Sequence, residues 1–518
     1  MASARQVDAV IAGSGAAGSL IAAKLARAGK KVALLEAGPK RGPADMISSQ
    51  IWARRLKLPA PATGTGGRDP LSVGFGSGWG TGGSALHHYA CWFRLHEEDF
   101  EMKSRFGKGL DWPLGYADLR RWYDRVQNEV GLSGDAEQEI WRPPGEPYPM
   151  PPLPVFAQGR AIARGFKQLG MATAPLPMAI NSVPYNGRQV CFQDGWCDAG
   201  CPIDALGNPL AVYLPQALAA GAELLHDSAV TRVLGNRRGD RATGLEYYDA
   251  RGSRQELRAD VVILAAYAFE IPRILLNSRP GGLANSSGMV GRCMMAHATS
   301  NIFGFFEEDT ANFLGRTGGQ LMAQDGYAKN PDKGYVASST WLIGNALKPN
   351  DLLGIGNSRV DLFGEPLHAF MKKAARKLAT MTFVGEGLPD PENRVTLGDG
   401  RDRRGMPQAR ARHQFAADSV KCWEAGVKQG KEIFEAAGAT EVWATGRNQM
   451  HTMGGAIMGR SPASSVTNGY GRTHDLPNLF VAGSSLFPTA GGVNPTFTIS
   501  ALAARSAQHM LDHWSSFG

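Results

Sequence analysis

Near the start of the chain, Val7-Asp8-Ala9-Val10-Ile11-Ala12-Gly13-Ser14-Gly15-Ala16-Ala17-Gly18 decides how the rest is read. Val7–Ala12 is a short apolar run of the kind buried on both faces of a parallel sheet. Gly13–Gly18 fits G-x-G-x-x-G, and Ala16–Arg27 follows with helical periodicity through Leu20, Ala23 and Leu25. Lys31–Glu36 is a second strand, which completes a βαβ unit. In that setting Gly13 makes the tight turn, Gly15 lets the backbone approach a pyrophosphate, and Gly18 lets helix and strand pack closely. Ala16 and Ala17 open the helix, whose exposed N–H groups face the phosphates. Glu36, with Ala37 beside it, ends the second strand, where a carboxylate accepts hydrogen bonds from ribose hydroxyls. The motif alone is weak, but strand, helix and carboxylate together point to a bound dinucleotide, NAD or FAD, with a plain adenosine ribose.

The chain has 518 residues, too many for one compact core, so two or more lobes are expected. Apolar residues make up 43% and charged residues 20%, the balance of a soluble globular protein. A net charge of +8 is scattered, with small clusters at Arg237–Arg238 and Arg401–Arg404. No basic stripe interleaves with aromatics, so nucleic-acid binding is a poor reading, whereas mild attraction to an acidic protein is compatible. No apolar run is long enough for a membrane-spanning helix. Only six residues precede Val7, which leaves no room for a signal peptide, so a cytoplasmic protein is expected unless a partner subunit carries it to the periplasm.

Beyond the βαβ unit, residues 62–83 are glycine-rich. Phe75, Trp79 and Leu86–Phe93 make them too apolar for a solvated tether, so a shaped, functional loop is expected. Pro143–Pro154 is an extended, stiff strap. Strand-like runs recur at Glu223–Leu225, Ala229–Leu234, Thr243–Tyr248 and Val261–Ala266, with a helix over Ile271–Leu276. Residues 300–450 suggest a separate α+β lobe. Asn478–Gly483 is another buried strand, and Pro495–Met510 a closing helix.

Four segments resemble the glucose–methanol–choline (GMC) oxidoreductase family, and the likeness runs from residue 7 to about 510. They are Gly13–Gly18 with Glu36; Gly82-Gly83-Ser84-Ala85-Leu86-His87; His451-Thr452-Met453-Gly454-Gly455; and Gly483-Ser484-Ser485-Leu486-Phe487-Pro488 with Asn494-Pro495-Thr496-Phe497. Asp111-Trp112-Pro113, Gly291–His297 and Pro389–Val395 resemble the family more weakly. The resemblance implies an α/β protein with a Rossmann-like FAD-binding domain (the GMC fold) and a discontinuous α+β substrate-binding domain. It places the FAD-binding domain at 1–150, a linker and substrate-domain segment at 151–190, the cysteine loop and second FAD-binding part at 191–299, the substrate-binding domain at 300–465, and the last FAD-binding part at 466–518. FAD is the implied cofactor, with Val230, Ala266, Gly483, Ser484, Asn494, Pro495 and Thr496 joining the glycine segments around it. One departure stands out: members often carry a glycine where this chain has Tyr267.

Carried over by position, His451 is the catalytic base and Asn494 its partner. Oxidation of an alcohol needs a group to take the hydroxyl proton while hydride leaves for flavin N5. Imidazole suits that task near neutral pH, and an amide stabilises the developing alkoxide without competing for the proton. His87 stands four places past Gly83, where some relatives carry a covalent bond to FAD and others do not; the resemblance leaves both states open.

The six cysteines include Cys191, Cys197 and Cys201, the last followed by Pro202. Thiolates are soft ligands, and three of them suit a 3Fe-4S cluster. The spacing resembles the catalytic subunits of bacterial glucose, gluconate and fructose dehydrogenases, which implies electron transfer from FAD through the cluster to a cytochrome or quinone-linked acceptor, with cytochrome and small chaperone-like subunits as partners. Zinc, with Asp198 or Asp204 as fourth ligand, and cysteines without a metal are the alternatives. The expected activity is therefore an FAD-dependent dehydrogenase acting on CH–OH donors, a sugar, polyol or other alcohol, with a non-oxygen acceptor. An oxygen-using oxidase and a redox-neutral lyase of the same fold are the alternatives.

Overall fold

A computed structural model describes residues 5–57, 63–71 and 77–517. Of the glycine-rich stretch 62–83, residue 62 and residues 72–76, Phe75 among them, lie outside these described residues. β1 (Gln6–Ala12), α1 (Ala16–Arg27) and β2 (Val32–Leu35) form the expected unit, with β1 and β2 parallel from Ala9↔Val32 to Ala12↔Leu35. Ala9–Ile11 are fully buried, which is why the run shows no apolar–polar alternation.

The first sheet is ordered Glu223–Leu225, β2, β1, Arg254–Leu264, Ala242–Tyr248, Ala229–Gly235. The Arg254–Leu264 strand has two halves of different character. Its charged first half pairs antiparallel with Ala242–Tyr248, and its apolar second half runs parallel between β1 and Leu479–Val481. Only the apolar half is visible as a strand in the sequence, because Arg254, Glu256 and Arg258 face outward. Buried Asn478 locks the last strand in place. Its amide donates to the carbonyls of Ala242 and Asp260 at 2.8 and 2.7 Å, and its oxygen accepts from Ala242 N at 3.0 Å.

The second sheet is ordered Thr440–Ala444, Met295–Phe305, Leu378–Gly385, Ser339–Ile343, Leu321–Ala323, Ala174–Pro175, with Asn448–Met453 also pairing to Met295–Phe305. Among the described residues its strand pairs are all antiparallel. The Ala417–Ala436 helix lies close across it: a Cβ on Gly426 would stand 2.2 Å from the Phe383 ring. Closing the chain, the Thr496–Asp512 helix packs on α1 and on the Tyr116–Val130 helix, so the Asn494 segment returns to the glycine loop. No helix among the described residues is long and apolar enough to cross a membrane.

Replacing Asn478 by Ala strands three backbone groups at the junction of three strands. The expected loss is on the order of 3 kcal/mol, read as a lower urea midpoint. An unchanged midpoint would show that the last strand is held by packing alone.

Candidate active site

One cleft opens between the first sheet and the Asn494 segment. Gly13, Gly15, Ala16, Ala17, Glu36, Ala37, Gly83, His87, Val230, Ala266, His451, Gly483, Ser484, Asn494, Pro495 and Thr496 all line it. Gly18 and Gly82 stand behind the wall. Gly13 has φ +99°, and a Cβ there would come within 2.5 Å of the Ala265 carbonyl. A Cβ on Gly18 would lie 2.1 Å from the Gly13 carbonyl, so this glycine permits helix–loop packing rather than ligand contact. No side chain caps α1 and its first turn carries no acid, so its N–H groups remain available to a phosphate. The cradle fits the pyrophosphate of FAD.

Glu36 is more engaged than a ribose ligand alone. One carboxylate oxygen accepts from Ser14 N and Oγ at 3.2 and 2.7 Å, the other from the N–H groups of Gly38 and Gly80 at 3.0 and 3.2 Å. Ser14 Oγ in turn accepts from Gly82 N at 3.2 Å. Burial raises the Glu36 carboxyl above the usual carboxylate range, and these donors oppose the rise. The sequence marked the carboxylate but not that it joins three loops.

Tyr267 lines the cleft with φ +77°, the conformation that a glycine would supply. The turn is retained at a cost of about 1–2 kcal/mol, and the ring packs 5.6 Å from Phe269 with its hydroxyl 3.4 Å from Thr452 Oγ1. The backbone approach is kept while the ring closes that side of the cleft.

His451 sits on Asn448–Met453, which pairs Met450 with His297 and then shifts register before Met453. His451 itself has φ +59°. The irregularity turns its side chain out of the strand's alternation and into the cleft, as bulges beside functional sites do. Gly454 follows because a Cβ there would lie 2.0 Å from the Cys293 carbonyl.

Three imidazole and amide contacts then set the protons. His297 Nε2 lies 2.8 Å from the Gly491 carbonyl, which can only accept, so that nitrogen carries the hydrogen. In a neutral His297, Nδ1 is therefore an acceptor. It lies 2.9 Å from His451 Nδ1, which must donate. His451 Nε2 is thus left with its lone pair free of hydrogen, and Asn494 Nδ2 donates to it at 3.2 Å. Burial drives the His297 pKa down to about 4, and burial with the neighbouring His297 holds His451 well below 6.5. Asn494, 7% exposed, keeps its carbonyl oxygen without a partner. His297 emerges only from this register; in sequence it is one imidazole in the apolar run Met294–Phe306.

His87 and His88 also line the cleft, driven by burial to about 3 and about 4. His87 is 6% exposed and its Nε2 lacks a hydrogen-bond partner, a neutral imidazole facing the place expected for the flavin.

The cysteine loop lies behind His87. The thiols of Cys191, Cys197 and Cys201 are free, and burial raises all three, Cys197 to about 12. Among the described residues no three His, Cys, Asp or Glu side chains close on a single metal ion. Asp198 is engaged by Lys57 and Lys348 at 2.8 and 3.3 Å, which removes it as a free zinc ligand. The sulfurs are nonetheless surrounded by donors. Gln193 N donates to Cys191 Sγ at 3.3 Å, backbone groups of Ile203, Ala205 and Leu206 to Cys201, and that of Thr317 to Cys197. Arg316 is fully buried beside them, with Nε and Nη2 unpartnered. The N–H donors around the sulfurs belong to the folded loop, whose thiols burial holds protonated, and among the described residues nothing assembles the expected 3Fe-4S site.

The neutral histidines carry a pH signature. Unfolded His takes up its proton near 6.5, whereas folded His297 does so near 4, so the unfolded chain binds more protons in between. This contribution to stability is whole above pH 6.5 and is lost as pH falls toward 4. Denaturation midpoints measured from pH 7.5 to 4.5 should fall, and H297N should flatten the slope. An equal slope in the variant would contradict the neutral, relayed state of His297.

Comparison with known proteins places this site in a family. Residues 7–299 and 389–503 match the amino- and carboxy-terminal segments of GMC oxidoreductase. The chain is 30% identical over 547 residues to 2-methyl-1,2-propanediol dehydrogenase of Mycolicibacterium austroafricanum, covering 99% of this chain and 96% of the relative. It is 30% identical over 538 residues to the fructose dehydrogenase large subunit of Gluconobacter japonicus, covering 98% of each. In fold it is similar to a formate oxidase crystal structure, with a TM-score of 0.72 at 15% identity over 99% of this chain and 100% of the other. The chain, with its FAD-shaped cleft, belongs to the GMC oxidoreductase family.

Proposed function

We propose that this protein is an FAD-dependent dehydrogenase that oxidises the CH–OH group of a sugar, polyol or other small alcohol and passes the electrons to a protein or quinone-linked acceptor. The observation that carries the reading is the unprotonated Nε2 of His451, held in the cleft with Asn494 Nδ2 beside it at 3.2 Å. Bound there, FAD supplies the two-electron acceptor for hydride from the carbinol carbon.

The chain's own groups supply the rest. A substrate hydroxyl entering between His451 and Asn494 donates to Nε2 and accepts from Asn494 Nδ2. As hydride leaves, Nε2 takes the hydroxyl proton, and the amide N–H steadies the charge growing on oxygen. His297 keeps His451 in the productive tautomer, so no rearrangement precedes proton transfer. The held-down pKa keeps the base unprotonated at neutral pH.

The names of three relatives matched along nearly their whole length, 2-methyl-1,2-propanediol dehydrogenase, fructose dehydrogenase large subunit and a gluconate 2-dehydrogenase flavoprotein, support a polyol or sugar substrate and the dehydrogenase reading. Cys191, Cys197 and Cys201 would hold a 3Fe-4S cluster that relays electrons one at a time from the flavin to a cytochrome subunit. Their donor-rich surroundings support that assignment.

Sugars and polyols added anaerobically should bleach the flavin absorbance, with little peroxide formed on readmission of air. H451Q should slow bleaching by about 10²–10⁴-fold while leaving flavin content unchanged. Bleaching at the wild-type rate would remove His451 from the reaction, and stoichiometric peroxide would turn the assignment to an oxidase.

A further inference from the structure

Behind the Asn494 segment lies a group of buried charges that lines no part of the cleft. Asp99, Lys329 and Glu386 come from three separate parts of the chain, and the side chains of all three are 0% exposed. Lys329 Nζ stands 3.0 Å from Asp99 Oδ1, and it donates to Ser338 Oγ at 3.0 Å and to Glu386 Oε2. Glu386 Oε2 also accepts from Ser338 N and Oγ at 3.0 and 3.1 Å. Asp99 Oδ2 accepts from His96 N at 2.8 Å and from the Tyr327 hydroxyl at 2.6 Å. Both oxygens of Asp99 face donors, which fixes it as a carboxylate. Two carboxylates thus share one ammonium out of reach of solvent, and among the described residues one negative charge is left over. Such a charge is costly in the interior unless a positive one arises nearby.

The charge abuts the segment that orients the base. A Cβ on Gly491 would lie 2.8 Å from the Tyr327 hydroxyl and 3.3 Å from Asp99 Oδ2, and one on Gly492 would lie 2.7 Å from the Ser338 carbonyl. The two glycines let the segment press directly on the charged group, and Gly491 takes φ +61° there. The Gly491 carbonyl and the Gly492 N–H belong to one peptide unit. Its carbonyl accepts from His297 Nε2 at 2.8 Å, and its N–H donates to the Tyr327 hydroxyl at 3.4 Å. A continuous chain results. His451 Nδ1–H donates to His297, His297 Nε2–H to the Gly491 carbonyl, the Gly492 N–H to Tyr327, and the Tyr327 O–H to Asp99. Every donor in it points away from His451 and toward Asp99.

Hydrogen bonds that all run one way polarise one another, and a negative terminus draws the hydrogens toward itself. Electron density at His451 Nε2 rises in consequence, which makes that nitrogen a stronger base. When Nε2 takes a proton, the imidazolium faces the carboxylate across an interior where charges are weakly screened. No proton leaves the imidazole pair, because the carboxylate acts by its charge. Asp99 is the carboxylate that the chain reaches, while Glu386 balances Lys329. The other titratable groups around Asp99 do not cancel it. His96 is stacked on Tyr327 at 3.9 Å and held neutral by burial, and Glu98, which accepts from Lys329 N at 3.0 Å, is an acid.

We infer that Asp99, acting through Tyr327 and the Gly491–Gly492 peptide, is the counter-charge of the imidazolium that forms on His451 and strengthens His451 as a base. The inference rests on the dehydrogenase reading given above and extends it to two residues that do not line the cleft. Asp99 and Tyr327 are positioning residues, since they act on His451 through His297.

The test compares full-length holoenzyme of wild type, D99N and Y327F by two readouts. One is the rate of anaerobic flavin reduction against alcohol concentration and pH. The other is the proton resonance of His297 Nε2–H in protein labelled at histidine, near neutral pH, which needs no turnover. D99N should lower the limiting rate by about tenfold with the half-saturating concentration little changed. It should also move the acid limb of the rate profile to lower pH, because an imidazolium without its counter-charge loses its proton more readily. Y327F, which keeps the ring stacked on His96, should shift the same quantities in the same direction by a smaller factor. In both variants the His297 resonance should move upfield as its hydrogen bond weakens. Wild type whose flavin no alcohol bleaches overturns the dehydrogenase reading, and the imidazolium role falls with it. With wild type active, variants that keep its rate, pH profile and resonance overturn the inference alone. A raised half-saturating concentration at an unchanged limiting rate overturns it too, since that result assigns Asp99 to substrate placement. Should D99N fail to fold, Y327F decides: a wild-type rate and resonance there assign the buried charges to stability and overturn the inference.

Discussion

The buried carboxylate of Glu36 is the constraint on which the cleft depends. It accepts from Ser14, Gly38 and Gly80, and through the Ser14 hydroxyl it also reaches Gly82. The loops after β1 and β2 and the segment before Gly83–Leu86 become one floor. A buried charge is tolerated because its oxygens are fully supplied with donors. Those donors are mostly backbone N–H groups, so the floor's shape depends little on neighbouring side chains. Gly13 and Gly18 are required by the same closeness, since each stands where a Cβ would meet a carbonyl oxygen.

The second sheet contributes the reacting end by register rather than by motif. Met450 pairs with His297, and the irregular step that follows turns His451 into the cleft with φ +59°. A regular strand would have placed alternate side chains on fixed faces. The local distortion is held by Gly454 and by the His297 contact. The hydrogen-bond chain from His451 through His297 to the accepting Gly491 carbonyl then determines which nitrogen is basic. In that sense a main-chain carbonyl on the Asn494 segment orients a base on the other lobe.

His87 and Cys91, four residues apart, both line the cleft, so the chain that follows Gly83 borders it continuously with the wall on which His87 stands.

Much of the nucleotide end was legible from sequence because its determinants are local. The β1–α1–β2 unit lies within residues 6–35, and its apolar run, glycine spacing and helical period are readable without knowing any long-range contact. The stretches carrying His451 and Asn494 were legible through resemblance, as segments rather than as geometry. What sequence could not supply was everything that depends on meeting at a distance. His297 and His451 are 154 residues apart, and only strand register brings them to 2.9 Å. Tyr267 stands where glycine is common, and its backbone adopts the glycine conformation with φ +77° while its side chain lines the cleft. Local periodicity determines where strands and helices form; proton positions and counter-ions are decided by burial and pairing, which exist only once the chain has folded.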